Sequence, residues 1–233
     1  HKEYRRQRQM CIRDSSRGVS YLLETVRKLP AGLTLVATGP LTNVARAIRR
    51  DRSAMKNVPE ILVMGGAFDV PGNVTATAEF NFHCDPESAE AVMNSGIPIR
   101  LFPLDVTHEV KLLRSSIDQQ ADVSAAKRDL LKAVTGTYME FHKNKPGYGF
   151  DGSFMHDVMP VMALIDPGVF EFVKGRVHVQ TTPGDSFGKS TFLPDPQGNV
   201  AVARKVRGSQ LLDTFWKTLR HASPECSFPA ANP

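Results

Sequence analysis

Leu33-Thr34-Leu35-Val36-Ala37-Thr38-Gly39-Pro40-Leu41-Thr42-Asn43 is the stretch on which the fold turns. Leu33 to Ala37 is a short apolar and β-branched run that Gly39-Pro40 ends, and Thr42 to Ile48 continues at helical spacing with an Asn/Ala/Arg polar face. Strand, tight loop and helix follow from those features. Downstream the order repeats. Ile61-Leu62-Val63-Met64 reads as a buried strand closed by Gly65-Gly66, a long polar loop follows, and Asp85-Pro86 caps a helix that ends near Gly96. Ile99-Arg100-Leu101-Phe102 is a third strand, with Asp105-Val106-Thr107-His108 as the loop behind it. Upstream, Val19, Leu22, Leu23, Val26 and Leu29 recur at helical spacing until Pro30-Ala31-Gly32. Strands separated by helices of this length form right-handed βαβ units. The expected fold is therefore α/β, an open, mainly parallel sheet with helices on both faces. Ligands of such sheets bind at the carboxyl ends of the strands, where each of these polar loops falls.

The second half reads as more helical, from Leu112 to about Asn144. A glycine-rich loop follows over Pro146 to Gly152, then a helix from His156 to Leu164. Arg176 to Gln180 and Val200 to Ala203 alternate like edge strands and predict small antiparallel additions, and Ser209 to Leu219 reads as a last helix. The domain is expected to span residues 15–220, with a loose, Pro-rich tail over 221–233. Residues 1–14 look foreign to the rest: polar, basic and without a 2 or 3.6 period. An expressed extension, a disordered arm or translated sequence from outside the gene all have that character, and Cys11-Ile12-Arg13-Asp14-Ser15 favours the last.

Bulk properties narrow the function classes. The chain has 233 residues, 41% hydrophobic and 23% charged, enough for a substantial core. No apolar run approaches the roughly 20 residues of a membrane-spanning helix, which predicts a soluble protein with no membrane partner. Five of the residues behind the net charge of +5 are Lys2, Arg5, Arg6, Arg8 and Arg13, so the folded part is near neutral and nucleic acid is not an expected partner. Cys11, Cys84 and Cys226 are odd in number and widely spaced, with no CxxC pair. That pattern argues against a disulfide framework or a zinc site and fits a reducing cytoplasm.

Three segments carry candidate chemistry, each with a plain structural reading beside it. Gly72-Asn73-Val74-Thr75-Ala76-Thr77-Ala78-Glu79-Phe80-Asn81 puts Asn73, Glu79 and Asn81 on one loop, the amides and carboxylate that vicinal hydroxyls need; it also reads as a solvated loop. His156-Asp157 sets an imidazole and a carboxylate at a helix start, where aspartate is also an ordinary cap and a lone histidine is often structural. Thr38 to Asn43 can be a tight turn alone, and so can Asp105 to His108, with His108 in the core.

Taken together and in order, Val36 to Asn43, Val63-Met64-Gly65-Gly66, Gly72-Asn73 with Ala78-Glu79-Phe80-Asn81, Asp85-Pro86-Glu87, Leu104 to His108 and His156-Asp157 resemble the inosine-uridine-preferring nucleoside hydrolase family over about residues 15–220. The resemblance implies hydrolysis of the N-glycosidic bond of ribonucleosides to ribose and free base. It matches Asn73, Glu79 and Asn81 to ribose-binding residues, and Met64 to a position under the sugar. His156 matches the histidine beside the base, which protonates the leaving group in purine cleavage. Asp157 and the backbone carbonyl of Thr38 match ligands of Ca²⁺, whose bound water is the nucleophile and which takes six to eight oxygens. Tyr148, Phe150 and His83 are candidates by position for the base side. The resemblance also implies a homodimer or homotetramer for a full-length member.

The sequence departs from the family in two places. The DxDxxxDD cluster that supplies the general base and most calcium ligands occurs nowhere in it, and Val158 stands where the family has proline after His-Asp. The expectation is a C-terminal portion of the fold, truncated at the N-terminus. Two readings remain: a hydrolase whose N-terminal portion is absent from this sequence, and an inactive relative that at most binds a ribose-like ligand. A flavodoxin-like nucleotide-binding module is disfavoured, because no glycine-rich phosphate fingerprint follows a strand.

Overall fold

The computed structural model describes residues 17–29 and 32–222. The expectations for residues 1–14 and for 223–233, and Cys11 and Cys226 with them, lie outside the described residues. The described residues divide into two compact units, one comprising those up to His108 together with His156–Val206, the other Glu109–Met155 with those from Arg207 to Ala222.

In the first unit, helix α1 (17–28) precedes β1 (Leu35–Ala37), α2 (Thr42–Arg50), α3 (Arg52–Met55) and β2 (Ile61–Met64). After them come α4 (Phe80–Cys84), α5 (Pro86–Met93), β3 (Ile99–Phe102) and the single helical turn α6 (Leu104–Thr107), which replaces the loop expected behind β3. β1, β2 and β3 pair in parallel, with Leu35 opposite Ile61 and Ile61 opposite Ile99. Alternate strand residues face opposite ways. Ile61, Val63, Ile99 and Leu101 therefore enter one core with Val19, Leu23, Val44, Ile48, Val92 and Met93 of α1, α2 and α5. On the opposite side Arg100 donates to the carbonyl of Ala163, 3.1 Å, in helix α9 (Val158–Ile165). Helices thus cover both faces, as the βαβ pattern predicts.

In the other unit lie β4 (Lys111–Leu113), α7 (Arg114–Asp118), α8 (Ala125–Asn144) and β5 (Gly152–Phe154). The expected continuous helical run from Leu112 is thus a strand, a short helix and a long one. β4 and β5 form an antiparallel pair, so the glycine-rich loop leads into a strand before the chain reaches His156. α10 (Gly208–His221) completes this unit.

The rest of the first unit is β6 (Phe170–Val179), β7 (Ser190–Pro194) and β8 (Val200–Val206), giving the sheet order β1-β2-β3-β8-β6-β7. β8 is parallel to β3, while β6 is antiparallel to both β8 and β7. Two strands expected at an edge are therefore interior, and the edge falls to β7. Val200 and Val202 are fully buried, which an edge position would not give.

Candidate functional site at the carboxyl ends of the strands

Loop 65–81 runs from the end of β2 to α4. Its path depends on Gly72, because a Cβ there would lie 2.1 Å from the carbonyl oxygen of Ala78, a contact no side chain tolerates. The turn closes through Gly72 N–H to Ala76 O, 3.2 Å, and Ala78 N–H to Thr75 Oγ1, 2.9 Å. Asn73 is half-buried and its Oδ1 accepts from Phe80 N–H, 2.9 Å, so its first duty is to hold the loop against the start of α4.

Glu79 is the N-cap of α4 and is 2% exposed. Its Oε1 accepts from Asn81 N–H, 2.8 Å, and its Oε2 from Phe82 N–H, 3.2 Å, and Gly66 N–H, 3.0 Å. Gly66 reaches that position with φ of 82°, a conformation that favours glycine. Burial pushes the Glu79 carboxyl up to about 7, against the three N–H donors that pull it down; the nearby Asp157 carboxylate adds a smaller upward push.

The Asn81 side chain, 6% exposed, gathers the rest. Its Nδ2 donates to Met64 O at 3.1 Å and lies 3.5 Å from the Met64 sulfur, and it makes a longer bond to Thr38 O, 3.3 Å. One amide therefore ties the ends of β1 and β2 to the start of α4. Thr42 Oγ1 donates to Asp85 Oδ2, 2.5 Å, and Asp85 in turn caps α5 at Ser88, so α2 and α5 also begin at this end of the sheet.

Asp157 occupies the N-cap position of α9 but makes no side-chain capping bond. Its side chain has solvent access, yet desolvation raises its pKa, which describes a carboxylate in a concave neighbourhood. The plain cap reading of this residue is not realised. His156 Nδ1 lies 2.7 Å from Thr107 Oγ1, and its ring centroid is 5.5 Å from that of His108, which is half-buried. Of the sequence candidates, Thr38, Met64, Glu79 and Asn81 are joined by hydrogen bonds, Asn73 is linked through Phe80, and Asp157 is coupled to Glu79 by charge. Among the base-side candidates, His83 meets Phe187 O at 3.2 Å, while Tyr148 and Phe150 pack around His142 within the other unit.

The donor set for a cation is small. Asp157 and the Thr38 carbonyl offer oxygens from one carboxylate and one peptide group, and no cluster of three His, Cys, Asp or Glu suited to a metal exists among the described residues. Ca²⁺ takes six to eight oxygens, so these residues alone do not close a calcium site.

Sequence reasoning passed over three contributors: the Gly66 N–H, the Thr107 hydroxyl as partner of His156, and Asp105, whose carboxylate accepts from Phe68 N–H at 2.9 Å and Asp69 N–H at 2.8 Å. Asp105 and Thr107 sit in a segment that also reads as a plain turn. The Gly66 N–H carries no side-chain signal at all.

The profile of the inosine-uridine preferring nucleoside hydrolases matches residues 5–213. The chain belongs to this family. A probable uridine nucleosidase 2 of Oryza sativa subsp. japonica is 35% identical over 161 residues, 69% of this chain and 47% of the relative. The pyrimidine-specific ribonucleoside hydrolase RihA of Salmonella paratyphi C is 31% identical over 211 residues, 89% of this chain and 67% of the relative. Among solved structures, a plant nucleoside hydrolase, PpNRh1, superposes with a TM-score of 0.79 at 29% identity, covering 88% of this chain and 67% of that one. A purine-preferring ribonucleoside hydrolase of Gardnerella vaginalis gives 0.78 at 28% identity, over 87% and 65%. This nucleoside hydrolase chain thus spans between about half and two thirds of the length of these relatives. No helix of the described residues is long and apolar enough to cross a membrane.

Proposed function

We propose that this member of the nucleoside hydrolase family recognises ribonucleosides through the ribose, and that the family reaction it serves is hydrolysis of the C1′–N bond to ribose and free base. The observation that carries this reading is the convergence of Glu79, Asn81, Met64 and Thr38 at the strand ends. A carboxylate and an amide there can orient vicinal hydroxyls and reject sugars that lack them. In this reading Glu79, Asn81 and Asn73 hold the ribose and Met64 lies beneath it. His156, oriented by Thr107 at Nδ1, carries the departing base's proton on Nε2. Water adds at C1′ as the base leaves with that proton, and the proton the water sheds passes to solvent, from which His156 is reprotonated. Asp157 and the Thr38 carbonyl are the residues of this chain that would contribute to holding a Ca²⁺ in the same reading, and a bound Ca²⁺ would supply activation of a water. A cytoplasmic homodimer or homotetramer belongs with it, in keeping with the sparse cysteines.

A specific observation favours a second reading for the 233-residue chain. It contains no DxDxxxDD cluster, and among the described residues Asp157 is the carboxylate whose charge acts on Glu79. Without a second carboxylate there is no base for the water, and the chain binds ribose-bearing ligands without cleaving them. Both readings are tested by one pair of assays on this chain with millimolar Ca²⁺: release of reducing sugar from inosine and uridine, and uridine binding followed by NMR. Binding without turnover is the expected result. Turnover overturns the binding-only reading, and absence of binding overturns the assignment of the ribose site.

A further inference from the structure

The β6–β7 hairpin comes back onto the loop that follows β2. Ser190, the first residue of β7, is 3% exposed, and its Oγ accepts from Ala67 N–H at 3.0 Å and donates to Ala67 O at 2.9 Å. One hydroxyl therefore satisfies both backbone groups of a buried residue 123 positions away in sequence. The adjoining residue is Gly66, whose N–H points at Glu79. On the other flank Asp105 takes the N–H groups of Phe68 and Asp69, and the Phe68 ring meets Phe192 of β7 at 5.9 Å. Arg204 pairs with Asp69. At the hairpin tip Gly188 sits so close to His83 of α4 that a Cβ would lie 2.8 Å from the His83 Cα.

We infer that Ser190 is a positioning residue for Glu79: by bonding the two peptide groups that flank Ala67, it sets, together with the Leu104 N–H on the Gly66 carbonyl, the orientation of the Gly66 N–H that holds the Glu79 carboxylate toward the ribose. This rests on the ribose-binding reading above. The physical argument is one of rotation. A residue with positive φ beside an unanchored peptide could turn its N–H away at small cost, but the peptide between Gly66 and Ala67 cannot turn without breaking two hydrogen bonds, Ala67 N–H to Ser190 Oγ and Leu104 N–H to Gly66 O at 2.9 Å, each worth about 1 kcal/mol net and more if its partner is left unsatisfied. The strand farthest from β1 in the sheet thereby governs a carboxylate at the end of β2.

The test uses the full 233-residue chain, with amide exchange and uridine titration read by NMR on the wild type, S190A and S190T. In S190A, exchange at Gly66 and Ala67 is expected to speed up by about tenfold while Leu62 and Val173 stay as they are, as for loss of a local hydrogen bond. Uridine binding is expected to weaken by about fivefold or more, and S190T, which keeps the hydroxyl, to restore both. Unchanged exchange at Gly66, or equal acceleration at Leu62 and Val173, overturns the inference, and so does unaltered uridine affinity in S190A. Failure of the wild type to bind uridine overturns the ribose reading instead, and the exchange pattern then decides alone whether Ser190 holds the Gly66 peptide.

Discussion

Glu79 and His142 are the ionisable side chains buried most deeply among the described residues, one in each unit, and their surroundings are opposite in kind. Glu79 lies among peptide N–H groups, three of which donate to it. His142 lies among rings: Phe150 stacks on it at 5.2 Å, Tyr138 and Phe154 meet it edge-on at 4.4 and 4.9 Å, and its Nδ1 reaches Gly152 O at 3.1 Å. Burial favours the neutral form of both, raising the carboxyl and lowering the imidazole. Three N–H donors oppose that effect at Glu79, whereas at His142 the Gly152 carbonyl is the one hydrogen bond that favours the charged ring. The difference separates a buried group surrounded by peptide donors from one that packs as an aromatic, and burial alone would not have told them apart.

The largest effect that probes this contrast is expected from Glu79→Ala. Three buried N–H groups lose their acceptor, at about 1–3 kcal/mol each before relaxation, so the loss of stability is expected to be several kcal/mol. Denaturant unfolding checks it, with uridine titration to follow the lost site. This differs from the simpler expectation for a ligand-binding residue, that its removal leaves the fold untouched, because Glu79 is also the cap of α4. A Glu79→Ala protein as stable as the wild type would remove the carboxylate half of the comparison.

Next in size is a pH dependence. With its pKa raised from 4.5 to about 7, folded Glu79 holds its proton where the unfolded chain has released it. Its stabilising contribution is full below the unfolded value and is lost as pH rises through about 7, of the order of 3 kcal/mol in total. Protection of amides such as Val63 and Leu101, followed with EDTA present, should therefore fall between pH 5 and 8, and Glu79→Gln should flatten the trend.

His142 runs the other way. Its folded pKa lies below the ordinary 6.5, so its contribution is present above that value and is lost as pH falls through the folded one. His142→Phe should remove the acid sensitivity of amides around Met139 while costing about 1–2 kcal/mol for the Gly152 carbonyl left without its partner. An unchanged acid limb would show that the ring cluster does not control this unit's pH response. The smallest effect concerns Val158, the first residue of α9, where proline's fixed φ is tolerated and no intrahelical N–H bond is lost. Val158→Pro is expected to shift thermal stability by no more than about 0.5 kcal/mol.

Much of the first unit was legible from local pattern. β2 and β3 occupy the four-residue apolar runs Ile61–Met64 and Ile99–Phe102, and α5 starts at the Asp85-Pro86 signal. Each is bounded by glycine, proline or a capping residue, whose backbone preferences act over a few positions. The second unit was less legible. β4 and β5 are three residues each, too short for a period to emerge, and β7 gave no signal before its pairing with β6 was seen. In the site, the residue types that suit a ribose could be found by spacing, but the acceptor role of Glu79 at Gly66 could not.

The amino-acid sequence by itself determined the βαβ order, the sites of the turns and the polar loops at the strand ends, because apolar periodicity, glycine and proline act through neighbours along the chain. Only the tertiary structure decided that β8 is interior, that Asn81 joins β1 to β2, and that Ser190 holds the Ala67 peptide from 123 residues away. Those are pairings of buried polar groups whose partners are chosen by desolvation and shape, and no local pattern encodes which distant group will meet them.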